Sequence, residues 1–69
     1  MKTDCLISII MPAYNASNYI GEAIESVIAQ TFLQWELIIV DDGSTDNTSK
    51  IIKDYIKADD RIHYNYKKN

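Results

Sequence analysis

IIVDDGSTDNT, from Ile38 to Thr48, contains the end of a strand, a turn and the beginning of a helix. The apolar run from Leu37 to Val40 is rich in β-branched side chains, which predicts a parallel strand buried on both faces. Two acids end this strand, Gly43 allows a sharp turn, and short polar side chains can then cap a helix. Because open α/β sheets bind ligands at the carboxyl ends of their strands, the acidic turn is a candidate functional site.

An earlier strand and helix are predicted on the amino-terminal side of this stretch. Leu6 to Met11 reads as a buried strand, and Pro12 is expected to end it because proline has no N–H for a sheet ladder. A helix is predicted from about Tyr19 to Gln30, with Ser17 or Asn18 as its N-cap. Its apolar residues have the spacing of one buried face: Ile20, Ala23, Ile24, Val27 and Ile28.

Two further elements follow the acidic turn. A helix is predicted from about Asp46 to Ala58, with Asp46 in a first turn that favours negative charge. The alternation from Ile62 to Tyr66 predicts a third strand, in which His63 is exposed. Trp35 is expected to pack at the beginning of the second strand, far from the ligand end. The core face of the second helix is predicted to contain Ile51, Ile52, Tyr55 and Ile56.

The predicted order is therefore β-α-β-α-β, an α/β fold. Right-handed crossovers place such strands in a parallel sheet of order 3-2-1, half of a Rossmann-like domain. A strand as apolar as the first one is not expected to stand as a long open edge. We therefore expect residues 1–69 to be the amino-terminal part of a larger doubly wound domain.

Composition and charge exclude several classes of function. The formal net charge of −3 argues against a nucleic-acid partner, which would require a basic patch. No apolar run approaches the roughly 20 residues of a transmembrane helix, and the first residues do not have the pattern of a signal peptide. Cys5 is the single cysteine and is expected to be a structural side chain. These features make the cytoplasm the expected compartment.

Known phosphate-binding motifs are absent from the sequence. There is no GxxxxGK[ST] loop, and no GxGxxG follows the first strand. A phosphoacceptor receiver domain remains as the least favoured alternative. That fold would have the acid pair after its first strand, whereas Asp41 and Asp42 follow the second strand here.

A pocket is predicted where the two strands end. The first strand leads into Pro12, Ala13 and Tyr14, and its neighbour leads into Asp41 and Asp42. Parallel neighbours are about 4.8 Å apart, so these residues are expected to lie within the width of one ligand. An aromatic ring can stack on a nucleobase, and a carboxylate selects a base edge that presents an N–H group. Uracil presents that group at N3, whereas cytosine does not.

The segments SIIMPAYNASNYIGEAIESVIAQTF and WELIIVDDGSTDNTSKII resemble the opening of the family-two glycosyltransferases, inverting enzymes of the GT-A fold that use nucleotide sugars. The resemblance extends from Ile7 to about Tyr66. It implies that Tyr14 stacks on uracil, that Pro12 and Ala13 line the base edge, and that Asp42 accepts a hydrogen bond from uracil N3. Asp41 either shares this site or holds the turn. Many relatives have Glu where this chain has Ala16, so one ribose or base contact differs.

The resemblance also implies what the intact enzyme uses. Its donor would be a UDP-sugar, its acceptor a glycan or a lipid-linked sugar, and its cofactor a divalent metal, Mn²⁺ or Mg²⁺. The D-x-D motif that holds this metal and the Asp that acts as general base are absent from the chain, so no catalytic or metal-binding residue is assigned. The chain alone is therefore expected to be inactive. The longer enzyme would act in the cytoplasm or at the cytoplasmic face of the membrane. The alternative is a binding module for uridine nucleotides without catalysis.

Overall fold

The computed structural model describes residues 7–30 and 34–68. These residues form β1 (Ile7–Ala13), α1 (Ile20–Ile28), β2 (Trp35–Asp41), α2 (Thr48–Ala58) and β3 (Ile62–Tyr66). The strands are all parallel and lie in the order β1-β2-β3. The predicted α/β fold and its 3-2-1 sheet are thereby confirmed. Cys5, Leu6 and residues 31–33 lie outside the described residues.

One face of the sheet forms the core. Alternate side chains of β2 are buried, and the register sets Leu37 between Ile9 of β1 and Ile62 of β3. Side chains of both helices belong to the same buried cluster, so α1 and α2 cover the same face. The helix residues in this cluster that are below a tenth exposed are Ile20, Ile24, Val27 and Ile52.

The other face of the sheet is less covered than the sequence predicted. Glu36, Ile38 and Val40 of β2 are only half-buried, and Ile10 of β1 is 60% exposed. The predictions that β2 is buried on both faces and that β1 is a buried strand are therefore wrong for the described residues. The physical reason is that α1 and α2 pack on the opposite face, and the described residues supply no second layer.

Pro12 does not end β1, contrary to the prediction. The strand continues to Ala13, whose carbonyl oxygen accepts a hydrogen bond from the N–H of Asp42. At the other end of β1, the N–H of Ile7 donates to Gln34. The backbone N–H and C=O groups of odd-numbered residues in β1 thus point toward β2. The backbone of Pro12 points to the other edge of β1, where no strand of the described residues lies. Its missing N–H therefore breaks no bond of this sheet.

Both helices begin later than predicted. In α1, neither Ser17 nor Asn18 is the N-cap; that position is Tyr19, which makes no side-chain capping bond. α1 also ends at Ile28 rather than at Gln30. α2 begins at Thr48, so Asp46 precedes the first turn instead of lying in it. The Asp46 carboxylate accepts hydrogen bonds from the N–H of Thr48, the first residue of α2, and from the N–H of Ser17 in the loop before α1.

The opposite end of the sheet is closed by Trp35, as predicted. Its side chain is 2% exposed, and the guanidinium carbon of Arg61 lies 3.8 Å from the ring centroid, within the range of a cation–π contact. His63 is exposed on the uncovered face, also as predicted. Neither helix in the described ranges has the length and apolar composition needed to span a membrane.

Candidate functional site

The strand register brings Tyr14 and Asp42 to the same edge of the sheet. Ala13 is the register partner of Asp41, and the N–H of Asp42 donates to the carbonyl oxygen of Ala13 over 2.9 Å. Tyr14 directly follows β1 and Asp42 directly follows β2, and both residues are exposed. Two predicted site residues therefore lie at adjacent strand ends, accessible to a ligand.

The loops that follow β1 and β2 are tied together by reciprocal hydrogen bonds. We call residues 14–19 the first loop and residues 42–47 the second loop. The N–H of Asn15 donates to Ser44 Oγ at 2.8 Å, and the N–H of Thr45 donates to Asn15 Oδ1 at 2.8 Å. The Thr45 hydroxyl lies 3.5 Å from the same oxygen. Asn15 thus contacts two consecutive residues of the second loop.

A second set of bonds connects the first loop to the beginning of α2. The N–H of Ala16 donates to Thr48 Oγ1 at 2.8 Å, and the N–H of Ser17 donates to Asp46 Oδ2 at 3.2 Å. Asp46 Oδ1 accepts from the N–H of Thr48 at 3.0 Å and from its hydroxyl. These bonds, led by the Thr48 hydroxyl, lower the pKa of Asp46 to about 2. Asp46 is therefore an ionised acceptor that joins the two loops.

Asp41 is buried and holds the turn from inside the protein. Its Oδ1 accepts from the N–H of Ser44 at 2.9 Å, and its Oδ2 accepts from the Tyr64 hydroxyl at 2.7 Å. Burial is the largest influence on the pKa of Asp41 and raises it, but the hydrogen bonds from Ser44 and Tyr64 together outweigh burial and lower the pKa. Burial, followed by the bond to Asp41, raises the pKa of Tyr64 to about 12. Both carboxylate oxygens of Asp41 therefore have partners within the protein.

The remaining predicted residues flank these two acids. Ala13 is 4% exposed, so its methyl group lies in the core and its backbone is what the edge of the sheet presents. Pro12 is exposed and lies on the uncovered face. The structure thus leaves Pro12, Tyr14 and Asp42 accessible at this edge, while Ala13 and Asp41 support them from inside.

Two residues in the loops have positive φ angles. Gly43 has φ of 84° and Asn15 has φ of 46°. Glycine adopts this region without a steric cost, and Asn is among the few other residues that visit it. The sequence predicts the turn at Gly43 but does not predict the contacts of Asn15. One sequence feature could have predicted hydrogen bonds between the loops: both follow adjacent strands, and both contain short polar side chains.

No group of three or more metal-ligating side chains occurs within residues 7–30 and 34–68. A groove of about 390 Å³ lies on the β3 side of the second loop and is lined by Ser44, Asp46, Ser49, Lys53, Tyr64 and Tyr66. The described residues therefore present an aromatic ring and a free carboxylate at one edge. They do not fit a divalent metal of the kind the resemblance implies.

Comparison with known proteins identifies the family of this chain. The model of glycosyl transferase family 2 matches residues 8–69. The chain is 51% identical over 61 residues to the putative teichuronic acid biosynthesis glycosyltransferase TuaG of Bacillus subtilis. The matched segment is 88% of this chain and 24% of TuaG. The chain is also 41% identical over 64 residues to glycosyltransferase GlyA of Streptococcus pneumoniae. That matched segment is 93% of this chain and 9% of GlyA. The chain thus spans at most a quarter of these relatives.

Proposed function

We propose that this chain, which belongs to glycosyl transferase family 2, forms the nucleotide-binding part of a longer enzyme. That enzyme would transfer a sugar, with inversion, from a UDP-sugar to a glycan or a lipid-linked acceptor. The observation that carries the proposal is the meeting of Tyr14 and Asp42 at the ends of hydrogen-bonded parallel strands.

The chemistry of this pair suits uracil. Tyr14 is 53% exposed, and its ring offers a face on which a base can stack, a contact worth about 1–3 kcal/mol. The exposed carboxylate of Asp42 accepts hydrogen bonds only, so it favours the N3–H edge of uracil over that of cytosine. Pro12 and the backbone of Ala13 would border the base, while Asp41 would hold the turn.

Residues beyond this chain are needed to complete the proposed domain. The exposed Ile10, with the half-buried Ile38 and Val40, forms an apolar patch on the uncovered face, and β1 has an unpaired edge among the described strands. A following segment of a longer protein would pair with β1 and cover this patch. The relatives, which are several times longer, support this arrangement.

The side chains present suggest which steps this chain performs and which the rest of the longer protein performs. The described residues can bind and orient a nucleotide, but they do not fit a metal. A divalent metal and a general base would therefore be held by the longer protein, in the cytoplasm or at the cytoplasmic face of the membrane.

Calorimetric titration with UDP tests the proposal. The wild-type chain is expected to bind UDP, and Tyr14→Ala is expected to weaken binding about tenfold because the stacking face is lost. Tyr19→Ala is the matched control, since Tyr19 is equally exposed, at 57%, but lies at the other end of the first loop. A wild-type chain that fails to bind UDP, or equal affinities for the two variants, would overturn the proposal.

A further inference from the structure

We propose that Asn15 is a positioning residue that fixes the separation between the Tyr14 ring and the Asp42 carboxylate. The inference rests on the proposed nucleotide site for its ligand. It does not depend on that site for its geometry, which is a property of the free protein.

Asn15 is bonded to the second loop at two points. Its N–H donates to Ser44 Oγ, and its Oδ1 accepts from the N–H of Thr45, each over 2.8 Å. The residue that directly follows Tyr14 is therefore joined to the turn that directly follows Asp42. The turn is also held from the core side, where Asp41 accepts from the N–H of Ser44 at 2.9 Å. Ser44 is thus fixed from both sides.

The exposure of Tyr14 makes this connection important. A side chain that is 53% exposed is not fixed by core packing, so its position depends on the backbone that carries it. That backbone turns at Asn15, where φ is 46°. Few residues without glycine's freedom adopt this angle, and Asn is one of them. Asn15 therefore provides both the conformation and the acceptor that the connection needs.

These two contributions can be separated by substitution. Gly at position 15 keeps the conformation and removes the acceptor, whereas Asp keeps an acceptor for the N–H of Thr45 and tolerates positive φ. Uridine is the appropriate probe because it has no phosphate, so the added charge of Asn15→Asp repels it less than it would UDP. Affinity can be followed by NMR chemical-shift titration.

We expect Asn15→Gly to weaken uridine binding about fivefold, the value of about one net hydrogen bond, and Asn15→Asp to remain within about twofold of wild type. In the free protein, nuclear Overhauser contacts between the Tyr14 ring and Asp42 or Gly43 should be lost in Asn15→Gly and retained in Asn15→Asp. If Asn15→Gly does not fold, Ser44→Ala removes the other bond, from the N–H of Asn15 to Ser44 Oγ, and should weaken uridine binding by a similar factor.

The outcomes separate the two proposals. If the wild type binds neither uridine nor UDP, the nucleotide site is wrong, and the ring contacts alone decide the positioning role. If the wild type binds and Asn15→Gly binds equally well, the positioning role is wrong while the nucleotide site stands. Contacts that persist in Asn15→Gly, or an Asn15→Asp variant as impaired as Asn15→Gly, would also overturn the positioning role.

Discussion

The N–H of Asp42 donates to the carbonyl oxygen of Ala13 over 2.9 Å, one residue beyond the end of β2. This bond continues the parallel ladder into the loops, so the backbone segments at Tyr14 and Asp42 leave the sheet side by side. The bonds between the two loops then continue from this point. We therefore expect the exposed Asp42 to affect ligand binding and its buried neighbour Asp41 to affect local stability, and substitutions can test the two separately.

Asp42→Asn should change the base preference of the proposed site. An amide can donate as well as accept, so it no longer selects for the N3–H group of uracil. We expect the affinity for UDP to fall about tenfold, since a neutral acceptor replaces a charged one, and the preference for UDP over CDP to shrink. Titrations with both nucleotides measure this ratio. Asp54→Asn, on the exposed side of α2, is the control, and an unchanged ratio in Asp42→Asn would contradict the assignment.

Tyr64→Phe should destabilise the chain by about 1–3 kcal/mol, because it removes a hydrogen bond to the buried carboxylate of Asp41. The pKa of Asp41 should rise in the same variant, since the lost bond favours its ionised form. Urea unfolding measures the first effect. Tyr66→Phe, on the same strand and 52% exposed, should change the free energy of unfolding by less than about 0.5 kcal/mol. Equal effects of the two variants would show that the Asp41 bond contributes little.

Thr48→Val should cost about 1–3 kcal/mol in the free energy of unfolding. The substitution keeps the buried shape of Thr48 but leaves the N–H of Ala16 without its acceptor and removes a donor to Asp46. Thr48→Ser retains the hydroxyl and loses one methyl group, so its cost should be about 0.8 kcal/mol. Thermal unfolding of the two variants distinguishes hydroxyl from methyl. A larger loss for Ser than for Val would show that packing dominates at this position.

Acid should weaken the connection between the loops. The pKa of Asp46 is lowered from 3.8 to about 2 in the folded chain, so the unfolded chain binds more protons between these values. The stabilisation by Asp46 is therefore complete above about pH 3.8 and is lost as the pH falls toward 2. Asp41, whose pKa is also lowered, contributes in the same direction. Melting temperatures recorded from pH 6 to pH 2 should fall less steeply for Asp46→Asn than for wild type, and parallel curves would contradict this origin.

Much of the fold could be predicted from local patterns. Apolar runs located the first two strands, and an alternating pattern located the third. The handedness of crossovers predicted the sheet order, which the pairing of β2 with both β1 and β3 confirms. The loops could not be predicted in the same way. The local pattern predicts Ser17 or Asn18 as the N-cap of α1, whereas the N-cap is Tyr19 and the N–H of Ser17 is bonded to Asp46, a residue 29 positions away. Sequence patterns describe neighbours along the chain and do not show which distant acceptor a donor will reach.

The sequence alone determined that this chain forms a parallel β-α-β-α-β unit with an acid pair and an aromatic residue after adjacent strands, because periodicity and turn residues act locally. Tertiary structure decided that Asp41 lies inside and Asp42 outside, since neighbouring residues of a strand point to opposite faces and only the helices define which face is buried. It also decided that Asn15 connects the loops. That role depends on the ends of β1 and β2 lying one inter-strand spacing apart, and a local sequence pattern does not specify such a distance.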